Sequence, residues 1–247
     1  MSPLLRVEHV MGMPIVVDVR DEVVAPSALD DVFAWFVEVD ERFSTYKPDS
    51  EISRINRGEL HIRDAHPDVR EVLDRCEELR TETGGYFDVR ASGPGLDPSG
   101  LVKGWATARA AALLDAAGAL NYCVNAGGDL QLRGDALPDA GWRVGIQHPR
   151  ERDAVAAVIV SSGALAVATS GDSARGAHVL DPHTGLPPHG LLSVTITGPE
   201  LATADAYATA AFAMGLPGAT WAAQLVGYEA LAITDEQRAL RTPGFPG

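Results

Sequence analysis

The chain has 247 residues, 46% of them hydrophobic, and a formal net charge of -14 from 20 basic and 34 acidic side chains. There is ample apolar material for a core, which excludes global disorder, and the acidic balance argues against a general binder of nucleic-acid backbones. Cys76 and Cys123 are the only two cysteines, too few for a disulfide framework or a cluster, so both are expected as free, packed thiols.

Residues 5–20 read as strand, with "PIVVDV" favouring extended structure ahead of the charged turn "RDEVVAP". Ser27 then opens a helix. Asp30 supplies an approximate capping box, and Leu29, Val32, Phe33, Phe36, Val39 and Phe43 recur at helical spacing. "STYKPDSEISRINRGE" is expected as a loop. Residues 68–83 form a second amphipathic helix, stopped by Gly84 and Gly85. "YFDV" reads as a short extended piece. "GPGLDPSG" reads as a turn into a third helix that runs from Lys103 to Gly118. Strands dominate thereafter. "LNYCVN" and "LQLRG" flank an "AGGD" corner, and "WRVGIQ", "AVAAVIV", "ALAVATS" and "LLSVTIT" follow. A helix over 203–214, another near 217–226 and the strand "YEALAIT" close the pattern. Helices and strands interleave without strict alternation, and adjacent strands imply antiparallel pairing. The fold class is α+β rather than doubly wound. No linker divides the chain, so a single domain over 1–247 is expected, with room for a smaller lobe.

The start, "MSPLLRVEHVMGMPIVVDVR", is broken by Arg6, Glu8 and His9 before any signal-type apolar run develops, and no cysteine lies near it for lipid attachment. No stretch reaches the roughly twenty apolar residues of a membrane span. A cytoplasmic protein is the expectation.

Four segments carry polar groups suited to chemistry. In "TADAYATAAFAMG", Asp205 and Thr209 share one helix face a turn apart, an oxygen pair suited to magnesium or, equally, to helix-end electrostatics and a hydroxyl back-bond. In "LDPSGLVKGWA", Asp97 precedes a turn containing Gly100, and Lys103 stands near a helix start where an anionic ligand would be welcome; the alternative is a turn former and a solvated charge. "AGGDLQLRG" offers close backbone approach at Gly127 and Gly128, although a plain hairpin explains it as well. In "ATSGDSARGAHVLDPHTG", His178 could act as a general base, whereas Asp181 and its neighbours also fit ordinary turn chemistry.

Taken in order, "STYKPDSEISRIN", "GGYFD", "LDPSGLVKGWA", "VNAGGDL", "ATSGD", "HVLDPHTGLP" and "SVTITGPELATADAYATAAFAMG" closely resemble the ApbE-like family, the FAD:protein FMN transferases. The resemblance runs from about Met11 to about Gly215. It implies a T-fold-like α+β core of mainly antiparallel strands packed with helices. It also implies magnesium-dependent transfer of FMN from FAD to a threonine or serine hydroxyl of a target flavoprotein, with release of AMP. By motif, Asp205 and Thr209 become magnesium ligands together with the Gly100 carbonyl, and Asp205 is a catalytic position. Met11, Tyr46, Tyr86, Phe87, Asp88, Asp97 and Lys103 become the FAD-binding positions. His178 becomes the histidine that activates the acceptor hydroxyl. The same site would serve a magnesium-dependent FAD pyrophosphatase giving FMN and AMP, or a flavin-binding carrier without turnover. This chain departs from the pattern at Ala108, where many relatives carry an aspartate, and in a shortened stretch between "GGYFD" and "LDPSG".

Overall fold

The structure is a computed structural model that describes residues 3–91, 93–138, 140–151, 153–171 and 179–247. It opens with a hairpin in which β1 (Leu4–Val10) pairs antiparallel with β2 (Met13–Val19). The two residues between them, Met11 and Gly12, have φ of 55° and 71°, as a tight two-residue hairpin turn requires. The stretch expected as one strand over 5–20 is therefore two.

Helix α1 (Ser27–Phe43) buries the apolar face read from its spacing. Its capping box does not form. Pro26 occupies the cap position without a side-chain bond, and Asp30 instead accepts from Arg6 at 2.6 Å. Helix α2 (Glu51–Asn56) lies where a loop was expected. Six residues are too few to show a period, but the Ser50 hydroxyl caps it by accepting from the Ser53 N–H at 3.0 Å. A 3-10 turn (Ile62–Asp64) leads to α3 (Pro67–Glu82), which has proline at its first position and ends at Gly84 and Gly85, both with positive φ. "YFDV" is turn rather than strand. Helix α4 (Ser99–Ala116) starts at Ser99, not Lys103, because Pro98 stands at its cap and "DPSG" enters the helix directly.

The strands that follow are β3 (Tyr122–Ala126), β4 (Asp129–Arg133), β5 (Asp135–Leu137), β6 (Ala140–Gln147), β7 (Val155–Ser161), β8 (Leu165–Gly171) and β9 (Leu191–Gly198). Helices α5 (Leu201–Ala213) and α6 (Leu216–Ala222) come next, then β10 (Glu229–Thr234) and the short β11 (Ala239–Arg241), which had no counterpart in the sequence reading. Eight strands form one sheet in the order β1-β2-β3-β4-β8-β9-β10-β11, with every neighbouring pair antiparallel, and β5-β6-β7 form a second sheet. The α+β class with a mainly antiparallel sheet holds.

The larger sheet is covered on both faces in its middle. Val194, Ile196, Ala166, Ala168, Ala230 and Ala232 pack against α5 through Leu201, Ala204, Ala208, Ala211 and Phe212. Leu130, Leu132, Val167 and Leu231 turn the other way and meet Trp142, Val144, Ile146 and Ile159 of the smaller sheet, with Phe245. The period-2 alternation of a strand explains the division. Helix α5 is buried nearly all round, which is why it is built of alanine and shows no polar stripe. It crosses α4 at Gly104, where a side chain would meet the Leu201 carbonyl at 2.6 Å and the Ala202 Cα at 2.9 Å. Both cysteines are free, as expected, and burial pushes each thiol up to about 12.

Candidate functional site

The α4–α5 crossing places a carboxylate inside the protein. Asp205 is 2% exposed, and its Oδ2 accepts the Gly104 N–H at 3.0 Å. A regular helix aims that N–H at the carbonyl four residues earlier, so the Gly100 carbonyl competes with Asp205 for its helical donor. One turn along α5, the Thr209 hydroxyl lies 3.2 Å from that of Ser170 on β8. Gly100 faces the same hydroxyl, because a side chain there would sit 3.7 Å from Thr209 Oγ1 and 3.2 Å from the Phe87 ring. Phe87, Gly100, Asp205, Thr209 and Lys103 therefore converge from α4, α5 and the turn after α3.

Lys103 Nζ stands 2.6 Å from Asp129 Oδ2 and 3.5 Å from Asp205 Oδ1. Asp129 is 1% exposed at the start of β4, and its Oδ1 accepts the Thr169 N–H of β8 at 3.0 Å. Its Oδ2 is in charge contact with Lys103 but takes no well-aligned hydrogen bond among the described residues. Two buried carboxylates thus face one ammonium. Burial pushes Asp205 well above the usual carboxylate range; Lys103 opposes that shift, Asp129 adds to it, and the Gly104 N–H opposes it again.

The donors here are all oxygens, from two carboxylates, two hydroxyls and a helix-end carbonyl. This chemistry suits a hard divalent cation and not a soft one. Among the described residues no group of three or more His, Cys, Asp or Glu is gathered, so a cation held here would complete its shell with neutral oxygens. The excess of buried negative charge and the misaligned Asp129 oxygen fit such an ion.

The other expected positions fall around this cluster. Asp97 N–H donates to the Val89 carbonyl at 2.8 Å, tying the turn after α3 to the start of α4, and Asp97 Oδ1 accepts from the Ser99 N–H. Asn56 holds the same approach by a reciprocal pair with Leu96, 2.9 Å and 2.7 Å. Asp88 closes its own turn by accepting from the Arg90 N–H. Tyr86 packs edge-on against His183, with centroids 4.6 Å apart, so the loop after β8 touches the turn after α3. Met11 lies at the hairpin turn, packed at the margin of the core. Tyr46 is not brought into the cluster, since its side chain is 96% exposed. His178 lies outside the described residues. Asp181 is a turn former, accepting from the His183 N–H and the Thr184 hydroxyl. Ala108 lines a groove with Gln131 and Glu200, away from the carboxylates.

Sequence reasoning passed over Asp129 as part of a hairpin. The signal was a carboxylate opening an otherwise apolar strand, straight after two glycines that both have positive φ here.

Residues 11–94 and 90–232 match the model of the ApbE family. The FAD:protein FMN transferase of Salmonella typhimurium is 32% identical over 156 residues, covering 60% of this chain and 45% of that protein. That of Vibrio cholerae is 28% identical over 236 residues, covering 72% of this chain and 70% of the relative. The chain thus spans less than half the length of the first of these relatives. Among solved structures, the flavin transferase ApbE from Vibrio cholerae superposes with a TM-score of 0.86 at 23% identity, over 99% of this chain and 98% of the other. The ApbE protein of Thermotoga maritima gives 0.86 at 22%, over 98% and 97%. At those identities the structural matches establish the fold.

Proposed function

The chain belongs to the ApbE family, and from that premise we propose that it is an FAD:protein FMN transferase acting with magnesium. In this reading the oxygen of a threonine or serine hydroxyl on a target flavoprotein attacks the FMN-side phosphorus of FAD. The bond to the AMP phosphate breaks, and AMP leaves. The observation that supports it most is the pairing of buried Asp205 with Thr209, one helical turn apart, facing Gly100 and Lys103 in a site of oxygen donors. Curated relatives named for the same transfer point the same way.

Asp205, Thr209 and the Gly100 carbonyl would hold magnesium, which when bound supplies positive charge to a pyrophosphate and stabilises charge on its leaving half. The protein's own groups do the rest. Gly104 fixes the Asp205 carboxylate by donating its N–H to Oδ2, which leaves Oδ1 facing Lys103. Phe87, packed over Gly100, keeps water from that side. Met11, Tyr46, Tyr86, Asp88, Asp97 and Lys103 would line the FAD. His178 would take the proton of the acceptor hydroxyl, a contribution of about 10²–10⁴-fold in rate for a general base. Among the described residues no helix is long and apolar enough to cross a membrane.

Incubating the purified protein with FAD and magnesium, with and without a threonine-bearing flavoprotein, tests the reading by mass spectrometry and AMP detection. An acceptor heavier by one FMN unit, with matching AMP, is expected. Free FMN and AMP regardless of acceptor would mean a pyrophosphatase, and intact FAD beside a competent acceptor would mean a carrier.

A further inference from the structure

His183 ties the loop after β8 to the turn after α3. Its Nε2 lies 3.1 Å from the Gly84 carbonyl. A carbonyl only accepts, so this nitrogen carries the proton and donates. The ring also stands edge-on to Tyr86, with centroids 4.6 Å apart. Glycine at 85, required there by a φ of 88°, leaves room for the approach, since a Cβ would meet the imidazole at 3.2 Å. The histidine is delivered from a turn that is itself fixed. Asp181 Oδ1 accepts the His183 N–H at 2.9 Å, Oδ2 accepts the Thr184 hydroxyl at 3.0 Å, and the Asp181 carbonyl accepts the Gly185 N–H at 2.8 Å.

Core packing does not account for this contact. His183 is exposed and buries little apolar area. Phe87, the next residue after Tyr86, is held without it, because the buried Thr83 hydroxyl accepts the Phe87 N–H at 3.0 Å and the Phe87 ring is itself buried. Tyr86 is only partly buried at the margin of the core, and the imidazole braces its ring from outside.

We propose that His183 is a positioning residue for the FAD site, fixing the Tyr86 ring as a wall against which FAD binds. This role rests on Tyr86 lining FAD, as proposed above, and gives His183 no contact with FAD itself. Its effect passes through Tyr86, which distinguishes it from a residue that touches the ligand and from one that supports the fold.

Titration of FAD into the purified protein in EDTA, followed by flavin fluorescence, tests the proposal without turnover. His183→Ala should weaken FAD binding by about 2–10-fold, the equilibrium equivalent of an edge-to-face ring contact, with a thermal midpoint near that of the parent. Tyr86→Ala should weaken it at least as much, and adding His183→Ala to Tyr86→Ala should change nothing further, because the two residues act as one unit. Unchanged affinity in His183→Ala would overturn the proposal, as would a lowered thermal midpoint with the affinity kept. So would a further loss in the double variant, which would mean that His183 reaches FAD by a route other than Tyr86. Tyr86→Ala tests the underlying reading separately: full FAD affinity there would remove Tyr86 from the FAD site, whatever His183 does.

Discussion

Strand β4 sends Leu130 and Leu132 to one face of the large sheet and Asp129 and Gln131 to the other, and β8 divides Val167 from Ser170 in the same way. On the first face Leu130, Leu132, Val167 and Leu231 pack against the smaller sheet, beside the paired hydroxyls of Thr169 and Thr195. The second holds two buried carboxylates, a lysine and paired hydroxyls under α4 and α5. A residue's face, not its strand, decides which layer it meets, and the polar cluster sits only where the second face runs under the α4–α5 crossing. Both faces contribute apolar burial, and the buried carboxylates of the second use some of that stability, since buried charge is unfavourable until a partner arrives.

The comparison can be broken most forcefully from the dry side. Ile159→Ala removes a fully buried side chain between the sheets and should destabilise the protein by about 2–5 kcal/mol, while leaving magnesium affinity untouched. Denaturant melts beside metal titrations check both halves, and a loss of affinity would mean that the faces are coupled. Asp205→Ala should do the reverse, lowering magnesium-dependent turnover about 100-fold or more with a thermal midpoint near that of the parent, because the outer partners of metal ligands alone are worth up to ~100-fold. Full activity in that variant would end the metal assignment.

A smaller effect separates the faces by backbone fit. Gly104→Ala places a methyl against the Leu201 carbonyl and Ala202, and should cost about 1–3 kcal/mol by forcing α4 from α5. Gly145→Ala on β6 meets only Val155 at 3.5 Å, an ordinary contact, and should leave the melting temperature nearly unchanged. Equal destabilisation by the two would show that the helix seam is not especially tight. The smallest effect is expected at the thiols. Burial raises Cys76 and Cys123 to about 12, so at pH 8 neither should carry appreciable thiolate, and both should resist alkylation in the folded protein. Rapid labelling under native conditions would mean that one of them is reached by solvent.

Legibility in the sequence followed what each element needs. Helices α1 and α3 announce themselves because one face is wet and the other dry, and the strands of the smaller sheet alternate for the same reason. Helices α4 and α5 were found from runs of small residues, but the start of α4 was misplaced because Pro98 and Gly100 read as a turn when they enter the helix. The pairing of Asp205 with Thr209 was visible as an i, i+4 spacing. Its meeting with Lys103 and Asp129 was not, since those residues lie on α4 and β4 and only the crossing of α4 with α5 and the sheet brings them together. Periodicity is local, and a site assembled from three elements is not.

The smaller sheet enters and leaves the large one at adjacent strands. Strands β4 and β8 are neighbours, and the Gly163 N–H donates to the Gly134 carbonyl at 3.1 Å across the neck of the excursion. Residues 135–162 are thus a detour that the main sheet does not need for its own continuity. Lengthening its hairpin at the β6–β7 turn, or fusing a reporter there, changes neither strand order nor the α4–α5 crossing. Deleting it would uncover Leu130, Leu132, Val167 and Leu231 together. The detour can grow far more readily than it can shrink, which makes it the natural handle for tethering this protein to a surface while its opposite face stays free.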